Sequence, residues 1–364
     1  MNKAFKNLGL RLGFGILLFL LLNWIYSSYF FKADVEKYAP IRPEIIESFK
    51  TGDVVYMGES SNTSFNPWTD TLSESIGDFL QMYLPNKKVT QISHESFHLG
   101  LFKDMLQLWE PSKKDQTIVI TLNMRTFGPS AIYSGTEARN QQEALFYSNR
   151  FPLLTRIFLS LHFYDNRNDL ERTRLKFKYW RTAKPSVLDK LGEVNAALEK
   201  APDKLRHMAD AYIKELMFTI DESNPRLKDL NEIIAFGKRN KVNILFHILP
   251  ENRDYAGQLI GKELLEKMDN NVAFLEAFLK ENGAKYINNY RISTFKDYTD
   301  QFYPTEHVNV RMRHGIAYQI SRFFDSKTPE YSIPFKANNY PNWDIKQPMA
   351  DTLVIRFGLG RTNE

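Results

Sequence analysis

"VVYMGESSNTSF", Val54 to Phe65, decides how the chain folds. Four apolar residues lead into Gly58, and a carboxylate, hydroxyls and an amide follow at once. A short continuous apolar run bounded by a turn signal reads as a strand buried on both faces of a parallel sheet. Gly58 permits a tight turn and close backbone approach. In open parallel sheets ligands bind at the carboxyl ends of strands. The stretch therefore delivers Glu59, Ser60 and Ser61 to that edge, where free N–H groups at a helix start stabilise an oxyanion. Ser60, Ser61 and Thr63 suit plain helix N-caps equally well.

Outward from this strand (53–58), apolar runs alternate with amphipathic segments. Further strands are expected at 88–93, 117–123, 242–250 and 284–288, and helices at 71–84, 97–110, 226–240, 262–283 and 309–324. Such alternation implies βαβ units. The expected fold is a three-layer α/β sandwich with a central parallel sheet, spanning 35–325. A mostly helical insertion interrupts it at about 124–225, and an irregular tail (326–364) follows it.

Leu12 to Phe31 carries no charge, and Lys3, Lys6 and Arg11 precede it without an acidic residue among them. At ~1.5 Å per residue such a run spans a bilayer core of ~30 Å. The basic flank places the N-terminus in the cytoplasm, with Trp24, Tyr26 and Tyr29 toward the far interface. Residues 1–34 are thus expected to be a cytoplasmic stub and anchor, and the remainder to lie outside the cytoplasmic membrane. A cleaved signal peptide is the alternative, but its apolar region is usually only ~7–15 residues and ends at a small-residue site. Here the run ends "SSYFFKADVEK".

The chain has no cysteine, which excludes disulfides and cysteine-ligated metal. The net charge is +5, much of it in "RNDLERTRLKFKYWRTAK", Arg167 to Lys184. Outside the membrane this reads as a charged helix face, or one near anionic lipid or polymer, rather than a nucleic-acid site. No P-loop is present, and "FGLGR" near the C-terminus lacks the βαβ context of a dinucleotide fingerprint. No cofactor is expected.

Other strand ends add to Ser60. Gly100 follows the second expected strand in "SFHLG", Asn123 ends the third in "TLNMRTFG", and His307 precedes the last helix in "FYPTEHVNVRMRHG". This order of Ser, Gly, Asn and His resembles the SGNH, or GDSL, hydrolase superfamily, with "GES" (Gly58–Ser60) similar to its GDS block and "EHVN" to its histidine block. The resemblance implies a nucleophilic Ser60, a basic His307, and an oxyanion hole from Ser60, Gly100 and the Asn123 side chain. Within the superfamily, the anchor, "ILFHILPENRDYA" (Ile244–Ala256) and the size of the insertion resemble the DltD group of envelope D-alanylation proteins. That implies an esterase or acyltransferase acting on acetyl or D-alanyl groups of a cell-envelope polysaccharide or a teichoic-acid-like acceptor, beside a membrane-bound O-acyltransferase.

The family's aspartate usually stands three residues before the histidine, where this chain has Pro304. Glu306, Asp300, Asp297 or a backbone carbonyl could orient His307 instead. Glu306 needs a turn to do so, because neighbouring side chains on an extended segment point to opposite faces. A non-catalytic partner with a decayed triad is the corresponding alternative. Arg125 and Arg253 are candidates for binding an anionic substrate group, and His247, inside an apolar strand, suits a core position. "HESFH" (His94–His98) matches H-E-x-x-H, in which His94 and His98 would bind zinc and Glu95 would activate water, provided the motif lies in a helix and gains a third ligand.

Overall fold

The structure, a computed structural model, describes residues 3–67, 70–110, 115–182 and 186–331. Five strands form one sheet: β1 (Val54–Gly58), β2 (Val89–Ser93), β3 (Thr117–Leu122), β4 (Asn243–Ile248) and β5 (Lys285–Asn288). All neighbours are parallel, in the order β2-β1-β3-β4-β5. The expected tail lies, from residue 332 on, outside the described residues.

Alternate side chains of the sheet enter different cores, as a period of two requires. Val55, Met57, Ile118, Ile120, Phe246 and Ile248 join one core with helices Arg42–Thr51, Leu99–Met105, Pro225–Asn240 and Lys262–Glu281. Val54, Tyr56, Val119 and Leu245 join a second with helices Ile76–Tyr83 and Val310–Phe324. Helices on both faces make the three layers, and explain why β1 and β3 are buried at every position.

Helix starts are set by caps rather than by hydrophobic spacing. The helix expected from Thr71 begins at Ile76, because Ser75 and Asp78 close a capping box. The one expected from Phe97 begins at Leu99, where the His98 side chain accepts from the Gly100 N–H, and it tightens to a 3-10 turn at Leu106–Leu108.

Between β3 and Pro225–Asn240 the described residues are mostly helical. Its segment Gly135–Ala144 is fastened to the core by a buried ionic knot. Arg226 donates to Glu137 at 2.5 Å and to Asp229 at 3.3 Å, and Lys103 reaches Asp229 at 2.9 Å. The N-terminal helix Lys3–Tyr29 is long and apolar enough over Asn7–Tyr29 to cross a membrane, and none of its most apolar window is buried.

Candidate active site

β1 and β3 adjoin at the centre of the sheet although β2 lies between them in sequence, so their carboxyl ends flank the crevice where connections diverge to opposite sides. Gly58 is required by close approach: a Cβ there would lie 2.8 Å from the Tyr56 ring and 3.2 Å from Ser93 Oγ. The turn then starts the short helix Ser60–Thr63. Asn62 locks it in place, donating to Gln91 Oε1 and Ser93 Oγ, both at 2.8 Å, and accepting from Gly77 N–H at 3.1 Å.

Ser60 Oγ lies 2.8 Å from His307 Nε2, across 247 residues of chain. His307 Nδ1 lies 2.6 Å from Asp300 Oδ2. The separation of seven residues between acid and histidine is spanned by a closed loop. Tyr298 and Val308 form an antiparallel bridge, Thr299 N–H donates to the His307 carbonyl at 2.8 Å, and Tyr303 N–H turns the chain back on the Asp300 carbonyl at 3.0 Å. Thus Asp300, and not Glu306, faces the imidazole.

Glu306 is fully buried and points to the other side of the extended segment. There it accepts from Arg125 through both carboxylate oxygens, at 2.6–2.9 Å. Expected as the acid that orients His307, it is instead the partner of Arg125. Asp297, the other upstream candidate, caps the turn at Thr294.

The serine and histidine segments are braced by Arg313. Its fully buried guanidinium donates to the Leu72 and Val308 carbonyls at 3.0 Å each, to the Glu74 carbonyl at 2.9 Å, to Asp70 at 3.1 Å and to the Ser64 carbonyl. Ser64 Oγ adds a bond to the Val308 carbonyl at 3.0 Å.

Burial acts to lower the His307 pKa, but the hydrogen bond to Asp300 and the charges of Glu306 and Asp300 outweigh it and hold the imidazole above its usual value. Burial opposes ionisation of Glu306 too, yet Arg125 and His307 keep it below the carboxylate norm. Burial and the nearby Glu306 charge raise Glu59 well above the usual range. Glu251, also buried, is pushed up to about 8 by burial and then by Glu306, and its oxygens have no hydrogen-bond partner among the described residues.

Asn123 follows β3 directly, with its Nδ2 donating to Glu59 Oε1 at 2.6 Å and its Oδ1 accepting from Arg125 N–H at 2.9 Å. One amide hydrogen therefore remains beyond the bond to Glu59. A cavity of about 180 Å³ opens beside Glu59 and Asn123, lined also by Ser96, Arg125, Thr126, Ser130, Ser134, Thr136, Asn140 and Glu215. Ser130, Ser134, Thr136 and Asn140 come from the helical insertion.

Two further expectations are corrected. Gly100 does not offer its N–H to an oxyanion, since that group donates to His98 Nδ1 at 3.1 Å to cap a helix, and a Cβ there would run into Arg226 and Asp229. Arg253 faces Asp269 and donates to Tyr290 Oη at 2.6 Å, so it is committed away from the serine. Arg125 does line the cavity, but with Glu306 already on its fork.

"HESFH" forms a turn rather than a helix. His94 is exposed, whereas His98 is buried with its Nε2 2.9 Å from Glu137, off the line of a good hydrogen bond. His247 is a core residue bonded to Asn289 at 2.9 Å, and burial lowers its pKa to about 3. Sequence reasoning missed the Glu59–Asn123 bond and Ser96, which lines the cavity at φ 64. That left-handed conformation is normally signalled by Gly or Asn, so serine gives no cue.

No family model and no curated protein matches the chain. It is similar to a solved structure described as a platelet activating factor from Streptococcus pneumonia, at 11% identity and a TM-score of 0.37, over 85% of this chain and 98% of that one. It is also similar to a carbohydrate acetylesterase family member from Sinorhizobium meliloti, at 10% identity and a TM-score of 0.32, over 74% of this chain and 96% of that one. At such identity and overlap neither similarity bears on activity, which has to be read from the side chains.

Proposed function

We propose that this chain is a membrane-anchored serine esterase or acyltransferase, with its α/β domain outside the cytoplasmic membrane. The observation that carries the reading is the continuous chain Ser60 Oγ–His307 Nε2 and His307 Nδ1–Asp300 Oδ2, at 2.8 and 2.6 Å. A serine hydroxyl is a weak nucleophile without a base at ~2.6–3.2 Å, and the base needs a third group to fix its orientation.

In the reaction so derived, Ser60 Oγ attacks the acyl carbonyl as its proton passes to His307 Nε2. The imidazolium, stabilised by Asp300, returns that proton to the departing alkoxide, leaving an acyl-Ser60. Water or an acceptor hydroxyl then attacks the acyl carbon, His307 takes its proton, and Ser60 regains it as leaving group. The Ser60 N–H and the free hydrogen of the Asn123 amide are the assigned oxyanion donors.

The small volume of the adjacent cavity supports a short acyl group, since drug-sized ligands occupy ~300–1,000 Å³, and the hydroxyl and amide side chains around it support a hydroxylated remainder. Acetyl or D-alanyl esters on an envelope polysaccharide or teichoic-acid-like polymer, handled with a membrane-bound O-acyltransferase, are the substrates and partner that the resemblance suggests. Asp300 at 2.6 Å from His307 Nδ1 supports a complete triad over the alternative of a decayed, non-catalytic one. The zinc alternative required "HESFH" to be helical. The deciding experiment is labelling by a fluorophosphonate probe. Wild type should react, Ser60→Ala should not, and equal labelling of the two would end the serine reading.

A further inference from the structure

The helix Pro152–Ser160, within the insertion, lies against the outer part of the anchor helix. The rings of Phe151 and Phe19 meet edge to face at 5.6 Å, and Leu153 N–H donates to Asn23 Oδ1 at 3.0 Å. At the same junction Tyr26 Oη donates to Asp34 at 2.5 Å, and Arg156 reaches Asp34 at 3.4 Å. Apolar, polar and ionic contacts thus fix the domain to the anchor, which is more than a flexible tether provides.

Phe19 and Asn23 belong to the stretch able to cross the bilayer. Phe19 precedes the interfacial Trp24 by one and a half turns, roughly 7 Å along the axis at ~1.5 Å per residue. Anything packed on Phe19 from the domain side therefore shares the depth of the outer-leaflet acyl boundary. From there an apolar surface continues outward. Phe151, in ring contact with Phe19 of the anchor, is 50% exposed, Ile157 37%, Leu161 57% and Phe163 64%. The exposed Arg150, its guanidinium over the Phe158 ring, rims the patch with positive charge, and Arg156, shared with Asp34, stands beside it. An apolar surface beside basic side chains, starting at this depth, matches an amphipathic segment in contact with the outer acyl boundary and anionic headgroups.

We propose that residues 151–163 form a second, interfacial membrane contact: the helix and its following turn meet the outer leaflet beside the anchor, with lipid as the occupant of the exposed apolar face. The continuity of this face with the membrane-crossing surface of the anchor favours lipid over a protein partner, and the inference is independent of the chemistry at Ser60.

The absence of cysteine makes the test direct. The full chain would be reconstituted into phosphatidylcholine vesicles containing phosphatidylglycerol, with an environment-sensitive fluorophore on single cysteines at I157C, L161C or F163C. The reference is E281C, exposed at the end of a helix packed on β5, whereas Arg42–Thr51, which follows the anchor closely in the chain, packs on the opposite edge strand β2. Nitroxide lipids labelled near the headgroup should quench 157, 161 and 163 several-fold more than 281, with iodide access reduced in step. Lipid quenching no greater than at 281 would overturn the proposal. So would shielding from both lipid and iodide, which would mean that protein covers the face. Unchanged circular dichroism and melting of each variant would show that the fold is retained.

Discussion

Asp300 and Glu306 exchange their expected places because of backbone path. Glu306 and His307 are neighbours on an extended segment, so their side chains part to opposite faces, one to Arg125 and one to Ser60. Asp300→Asn should therefore cost up to the ~10⁴ in rate seen when a triad acid is neutralised, while Ser60→Ala should abolish turnover. Glu306→Ala should leave the chemistry of His307 in place but remove the carboxylate from the fork of Arg125, whose side chain is 24% exposed. Breaking a fully buried pair costs about 3–5 kcal/mol and partial exposure lowers that figure, so the melting temperature should fall while the kcat of the folded fraction persists. A 10⁴-scale loss with unchanged melting would return the orienting role to Glu306.

The pH profile carries a sign. His307 must be neutral to accept a proton, and its environment favours the charged form. The acidic limb of kcat/KM should rise with a midpoint above the usual ~6.5 of histidine. Asp300→Asn removes the foremost interaction favouring the imidazolium, so the limb of the residual activity should move to lower pH. An unmoved limb would mean that another group controls it.

At the scale of elements, side chains from sequence-distant segments fix the site. Arg313, on the last helix, holds the Leu72 and Glu74 carbonyls, and it shares the Val308 carbonyl with Ser64 Oγ, so the serine and histidine segments are tied together. Arg313→Met should lower both thermal stability and kcat, by leaving those carbonyls unsatisfied and loosening a 2.8 Å contact. Calorimetry and labelling rate should fall together. The knot at Glu137 holds the insertion in the same way. Burial opposes its charge, but His98 and Arg226 depress its pKa to about 2. A depressed carboxylate stabilises the fold above its unfolded pKa of ~4.3 and loses that contribution as pH falls toward the folded value. Urea midpoints of wild type should therefore drop from about pH 4 toward 2, whereas Glu137→Gln should start less stable and change less across that window.

At the scale of the whole molecule, the chain reads as an α/β domain carried on one apolar helix whose far end is locked to the insertion. The basic flank Lys3, Lys6 and Arg11 predicts that the N-terminus stays inside. A reporter active only outside the cytoplasm, fused after Glu364, should be active, and activity of a cytoplasmic reporter in its place would reverse the topology. Co-purification in mild detergent tests the proposed membrane partner. Full activity of the domain on polymer after removal of residues 1–31 would leave that partnership without support.

What the sequence by itself determined is what repeats locally. The five strands, the helices between them and the apolar N-terminal run follow from periodicity and composition, and the strands fall within two residues of expectation; in β1 and β3 burial on both faces demands unbroken apolar runs. Ser60, Asn123 and His307 were legible because each stands at a strand or helix boundary, where a parallel sheet exposes side chains to one crevice. Only the tertiary structure decided which carboxylate meets His307, that the Gly100 N–H serves a helix cap, that Arg253 turns to Asp269, and that the insertion lines the cavity and touches the anchor. Each of these depends on the direction of a side chain relative to a segment far away in the chain, and no local period or spacing encodes that direction.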